Sequence, residues 1–158
     1  MRQGERSEGP LEILKLLLAL LVLALLSPLL IAALGIFFAN QILVRVLVWA
    51  FWLPRGKDIL FVYSDSPIWR EYMTEQLLPL CKERAIVLNW SERRQWSRWS
   101  FKVHVFKSLS GDREFCPLII LFRPFLTEYF RFWQPFKDWK RGDHASLDAL
   151  VTALKARL

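Results

Sequence analysis

Two cysteines, Cys81 and Cys116, and two histidines, His104 and His144, are the only side chains of their types in this chain of 158 residues. None of them stands at the C-x-x-C or H-x-x-x-H spacing that brings two ligands onto one ion, so no metal is expected. The glycine-rich cradles G-x-G-x-x-G and G-x-x-x-x-G-K-[ST] are missing, and with them the usual seats for dinucleotides and nucleoside triphosphates. No cofactor is expected. Serine, histidine and aspartate all occur, but nothing in their order joins them into a catalytic triad. Two cysteines this far apart are too few for a disulfide scaffold, and free, buried thiols in a reducing compartment are the expectation.

Three other groupings have chemistry to offer. Ser64-Asp65-Ser66-Pro67 reads as a turn into a helix, with Ser66 as N-cap and Pro67 at the first helical position. Amides at a helix N-terminus attract anions, which makes Ser64, Asp65 and Ser66 a candidate anion site; a plain cap is the favoured account. Arg93, Arg94, Trp96, Arg98, Trp99 and Lys102 form the densest mixture of cations and aromatics. Such a cluster suits an anionic lipid surface, with tryptophans at headgroup depth, or single-stranded nucleic acid stacked on the rings. The favoured alternative buries the tryptophans and leaves the arginines solvated. A second cluster, Phe130, Phe132, Trp133, Phe136 and Trp139, is interleaved with cations. Most of it is expected in the core; Trp139 is the candidate contact for a protein partner. The triplet Asn89-Trp90-Ser91 matches a glycosylation acceptor, but it falls at the end of a predicted buried strand, where chance explains it better.

One stretch must position all of these. From Leu16 to Asn40 the chain runs 25 residues without a charge, more than the roughly 20 apolar residues that carry a helix across a bilayer. A cleaved signal peptide is disfavoured, because its apolar core is shorter. The reading is therefore a disordered N-terminus over 1–10, a transmembrane helix over 11–40 and an interfacial segment and linker over 41–56. A cytoplasmic α/β domain follows over 57–158. Pro28 is expected to kink the helix, since proline removes a backbone hydrogen bond; a hairpin turning at Pro28 is the rival. Trp49, Trp52, Arg55 and Lys57 are expected to contact lipid, because tryptophan rings and snorkelling cations collect at headgroup level. Arg93, Arg94 and Arg98 join them. From Arg55 onward 18 Lys and Arg face 12 Asp and Glu, a surplus of six. Such a surplus favours an anionic membrane surface over nucleic acid once the chain is tethered there. Cations flank the span evenly, Arg2, Arg6 and Lys15 before it and Arg45, Arg55 and Lys57 after it. The cytoplasmic placement rests instead on the basic domain and its free thiols.

Past Pro54-Arg55-Gly56-Lys57 the patterns alternate: a strand over 58–64, a helix from Pro67 to about Leu78 and a strand over 85–90. A mainly helical stretch up to Ser110-Gly111 follows, then strands over 118–122 and 127–133 as a hairpin, and an amphipathic helix behind Asp143 or Ser146. The inner face of the first helix is predicted to carry Trp69, Tyr72, Met73, Gln76, Leu77 and Leu80. Trp96, Trp99, Val103 and Phe106 are predicted to share a face of the second.

This order, β-α-β-α-β-β-α, with a loop and helix N-terminus after the first strand and Cys116-Pro117 just before the third, resembles the thioredoxin-like fold over about residues 57–158. In that family the loop carries a reactive CxxC and faces a cis-proline. The resemblance implies that Ser64-Asp65-Ser66-Pro67 stands where CxxC would be and that Pro117 corresponds to the proline. With no cysteine in the loop, disulfide exchange lacks its thiolate. It also implies that Cys116 lies beside the loop, where it is either a single reactive thiol or, the favoured account, a small buried residue. The expected function is that of a membrane-anchored, non-catalytic binding or scaffold protein; the alternative is a thiol-dependent enzyme using Cys116.

Overall fold

The computed structural model of the protein describes residues 9–124 and 126–158, with the backbone alone at 10 and 11. It divides into two compact units, the first ending at Asn40 and the second running from Gln41 to Leu158. Helix α1 spans Gly9–Phe51, beginning two residues ahead of the predicted start. The proline at its second position lacks an N–H that would have had no intrahelical partner there. The rest of the expected N-terminal disorder lies outside the described residues. From Ile13 to Phe38 the large apolar side chains of α1 are exposed, and the helix is long and apolar enough to cross a membrane. At 1.5 Å per residue the charge-free run is roughly 37 Å long, against a hydrocarbon core of about 30 Å. The helix continues through Pro28, which removes the hairpin alternative. The Ser27 hydroxyl donates to the Ala24 carbonyl at 3.0 Å, one turn back on the same helix.

In the second unit four strands form a mixed sheet in the order β2-β1-β3-β4. β1 (Ile59–Tyr63) pairs in parallel with β2 (Ala85–Asn89) and antiparallel with β3 (Leu118–Arg123), which pairs antiparallel with β4 (Leu126–Arg131). β1 and β3 are almost uniformly apolar because both faces of the sheet are covered. Register explains the two cores. Leu60 opposite Ile120 and Val62 opposite Leu118 point to one face, while Phe61 opposite Ile119 and Ile59 opposite Leu121 point to the other.

On the first face lie α3 (Phe101–Leu109) and the last turns of α1. Val44, Val48 and Trp52 recur every fourth residue and are 0, 0 and 7% exposed. The Gln41 side-chain amide donates to the Ser108 carbonyl of α3. The compact unit therefore includes much of the segment read as interfacial linker. The stripe is invisible in the sequence because Gln41 and Arg45 are the only polar residues from Gln41 to Leu53, too few to mark a polar face opposite the packed one.

The second face carries α2, α4 (Trp133–Lys140) and α5 (Ala145–Lys155). α2 comprises a wide π-type turn, Tyr72–Leu77, continued by Leu78–Cys81. There the Leu78 N–H bonds to Met73 O, five residues back. Pro79 has no N–H for an α-helical bond and its ring crowds the carbonyl four residues earlier, which a widened turn relieves. Met73, Leu77 and Cys81 face inward, while Gln76 and Leu80 are exposed, correcting their predicted inner-face positions. α4 is an element the alternation hid. α5 matches its predicted periodicity, with Leu147, Val151 and Leu154 buried and Asp143 Oδ1 accepting from the Ala145 N–H at 3.0 Å.

Candidate functional site

The carboxyl ends of the parallel strands β1 and β2 bring together the loop after Tyr63 and the 3₁₀ turn Trp90–Gln95. The Asp65 amide donates to Ser91 Oγ at 2.9 Å, and Asn89 Nδ2 donates to Asp65 Oδ2 at 3.1 Å and to Glu92 Oε1 at 3.2 Å. Trp69 Nε1 donates to Ser64 Oγ at 3.0 Å, and Ser66 Oγ accepts from the Ile68 amide at 3.4 Å. Arg70 Nε lies 3.6 Å from Asp65 Oδ1. Two amides that an anion would need, those of Asp65 and Ile68, are thus engaged within the protein. Burial, and then the charges of Asp65 and Glu92, raise the Tyr63 phenol above its ordinary value, while Arg70 works in the opposite direction. Ser64, Asp65 and Ser66 thus form a turn whose polar groups are engaged within the protein. The Asn89 side chain is occupied as well, accepting from the Ser91 amide at 3.0 Å.

Cys116 precedes a cis peptide bond to Pro117 at the start of β3 and is 8% exposed. Burial pushes its thiol up to about 11, against which a hydrogen bond with the Ser64 side chain works in the opposite direction. The adjacency of Cys116 to the loop is therefore real, and its thiol is protonated at neutral pH. Cys81, also free and buried, is pushed up to about 11 by burial. Among the described residues no three histidine, cysteine or acidic side chains come together in a metal-holding group.

The basic cluster splits. Trp96 packs edge-on against Trp90 and Phe106, with ring centroids 5.6 Å apart in both pairs, and Phe115 lies tilted against Trp90 at 4.7 Å. Arg93 lies over the Trp90 ring at 5.1 Å. Trp99, predicted to share the buried face, is 97% exposed. The chain from Trp96 to Ser100 is not helical, so the 3.6-residue spacing that would turn Trp99 inward does not apply. Arg93, Arg94, Arg98 and Lys102 are exposed as well.

The membrane-proximal set divides too. Trp52 is a core residue, edge-to-face with Phe101 and Phe122 at 5.4 and 5.8 Å, and is corrected from lipid contact to packing. Trp49 is half-buried against the same core. Arg55 is exposed and its guanidinium donates to the Phe51 carbonyl, whereas Lys57 Nζ donates to the Glu83 carbonyl at 2.5 Å. An apolar groove of about 500 Å³ that the sequence did not signal runs between Leu47, Phe51, Ile86 and Phe101. It is assembled from three separate elements, so no local pattern records it.

Trp139 is 37% exposed, with its ring edge-on to Phe136 and His144. It borders a cavity of about 450 Å³ shared with Ile68, Glu71, Tyr72 and Gln76. The candidate partner residue thus flanks a concave surface rather than standing alone. Searches against protein-family models, curated proteins and solved structures found nothing that matches this chain.

Proposed function

We propose that this chain is a membrane-anchored, non-catalytic binding or scaffold protein whose basic C-terminal domain has the thioredoxin-like fold and works at the cytoplasmic membrane surface. Support for the fold comes from the strand order β2-β1-β3-β4 with a parallel β1-β2 pair. α2 and α5 lie on one face with α3 on the other, and the Ser64–Pro67 loop stands next to Cys116. The observation that carries the non-catalytic reading is the absence of any thiol in that loop, combined with a buried Cys116 whose thiol sits near 11. A disulfide exchanger or cysteine nucleophile needs a thiolate at working pH.

The surface around Trp99, with Arg93, Arg94 and Arg98, is the contact we assign to anionic lipid. An exposed tryptophan among cations supplies both insertion at headgroup depth and attraction to lipid phosphate, the latter about 1 kcal/mol per cation. Cosedimentation of the unit from Gln41 to Leu158 with phosphatidylserine vesicles tests it. Changing Arg93, Arg94 and Arg98 to Glu is expected to lower binding by more than about tenfold. Trp99→Ala is expected to weaken binding while shifting stability by less than about 0.5 kcal/mol, because the ring makes little contact with the fold. Equal binding by the triple variant and the parent would remove the lipid role. A reporter fused after Leu158 tests the cytoplasmic placement, and activity only outside the cytosol would reverse it.

A thiol-dependent enzyme using Cys116 is the second reading, favoured by one observation: the hydrogen bond with Ser64, which stabilises the thiolate. Fast alkylation of Cys116 in the folded protein at neutral pH would support it.

A further inference from the structure

Arg45 stands on the last turns of α1 between Ile42 and Trp49. Its Nε is buried, and among the described residues it finds no hydrogen-bond acceptor and no carboxylate pairs with its guanidinium. A buried charged donor left unsatisfied costs more than the roughly 1–3 kcal/mol of a neutral one. The nearest carboxylate in sequence to Thr127 is Glu128, but strand alternation sends it to the other face of the sheet, where Arg157 and Arg123 hold it at 3.2 and 4.0 Å. Arg45 lines a cavity of about 350 Å³ with Ile42, Val46, Trp49 and Thr127. The adjoining apolar side chains Ile42, Leu43 and Val46 are 60, 54 and 46% exposed. A half-buried cation, a hydroxyl and an indole beside bare aliphatic surface match one ligand class: an acidic phosphodiester carrying acyl chains.

We propose that Arg45, Trp49 and Thr127 form the headgroup site of a tightly held anionic phospholipid whose chains lie along Ile42 and Val46. The guanidinium donates to the phosphate oxygens, for which its planar fork is suited. The Thr127 hydroxyl donates a further hydrogen bond, and the Trp49 ring flanks the glycerol region. This site rests on the reading that α1 lies in a membrane. It is separate from the Trp99 surface, which meets the bilayer through exposed cations.

Native mass spectrometry of the full chain, extracted in mild detergent and supplied with phosphatidylglycerol or phosphatidylcholine, tests the site. The parent is expected to retain phosphatidylglycerol preferentially, and Arg45→Gln to lose that retention by about tenfold, the loss of a charged hydrogen-bonded contact. Thr127→Val removes a single hydroxyl at constant shape, so it provides a second reading if Arg45→Gln folds poorly; a smaller but measurable loss is expected. Lys155→Gln, at an exposed position on α5 outside both lipid surfaces, is expected to retain the lipid as the parent does. Equal retention by the parent, Arg45→Gln and Thr127→Val in a chain that resists alkaline extraction from membranes would overturn the site alone. An equal loss in Lys155→Gln would do the same. Displacement of the lipid by millimolar inorganic phosphate would show a phosphate site without acyl recognition and overturn the lipid assignment. Release of the chain by alkaline extraction would overturn the membrane reading and this site with it.

Discussion

At pH 7, alkylation of Cys116 in the folded protein is expected to run about 100-fold or more below the rate of the same thiol in the unfolded chain. The factor follows from the thiolate fraction: moving a thiol from 9.0 to about 11 lowers that fraction about 100-fold at any pH below both values. Limited access at 8% exposure slows the reaction further. Raising the pH from 7 to 9 increases the thiolate about 100-fold in the folded chain and about 50-fold in the unfolded one, whose thiol is then half ionised. Above 9 the unfolded thiol is already ionised, so the ratio between the two narrows as the pH approaches 11. Labelling resolved by peptide mass spectrometry, using Cys81 as an internal buried reference, measures it. Labelling of Cys116 at the unfolded rate near neutrality would revive the enzyme reading.

The same shifts have a stability consequence with a defined sign. Both thiols ionise less readily folded than unfolded. Their contribution to stability is therefore constant below about pH 9 and is lost as the pH rises toward 11, because the unfolded chain releases protons first. The denaturation midpoint is expected to fall across that window. Substituting Cys116 by Ala is expected to flatten part of the fall.

Val48→Asp is the second large effect expected. Val48 is 0% exposed within the core that includes Leu60, Val62, Phe106 and Ile120. A carboxylate there loses the apolar burial and is set among apolar side chains, at a cost above about 4 kcal/mol. Since domains of this size are stable by about 5–15 kcal/mol, most of that margin goes. Val46→Asp, two residues away at 46% exposure, is expected to leave the fold intact. Limited proteolysis and denaturant unfolding of the two variants compare a packed helix with a passive linker. Equal stability of both variants and the parent would return Gln41–Leu53 to the role of an interfacial tether. If Val48→Asp behaves as expected, any soluble version of the domain must begin at Gln41 and not at Gly56.

Much of this molecule is readable from local pattern. The uncharged run from Leu16 to Asn40 sets a long apolar helix, because inserted charges are costly and none is present. The continuous apolar runs at 59–63 and 118–122 mark strands covered on both faces, and the spacing of Leu147, Val151 and Leu154 marks a helix with one buried side. In the site region, the cap at Ser66 and the burial of Cys116 follow from residue type and position alone.

What only the tertiary structure decided concerns direction. Trp96 and Trp99 are three residues apart and chemically identical, yet one packs on Trp90 and the other is 97% exposed, because the backbone between them is not helical. Phe51 and Trp52 are neighbours at the end of α1 and equally apolar, and which of them enters the core depends on where α3 and β3 approach. Arg45 and Thr127 lie far apart in sequence and meet only because α1 runs across the first face of the sheet near β4. Local periodicity records which residues prefer to be buried. It holds no record of which surfaces of a uniformly apolar segment find a partner, since that is settled by elements distant in the chain.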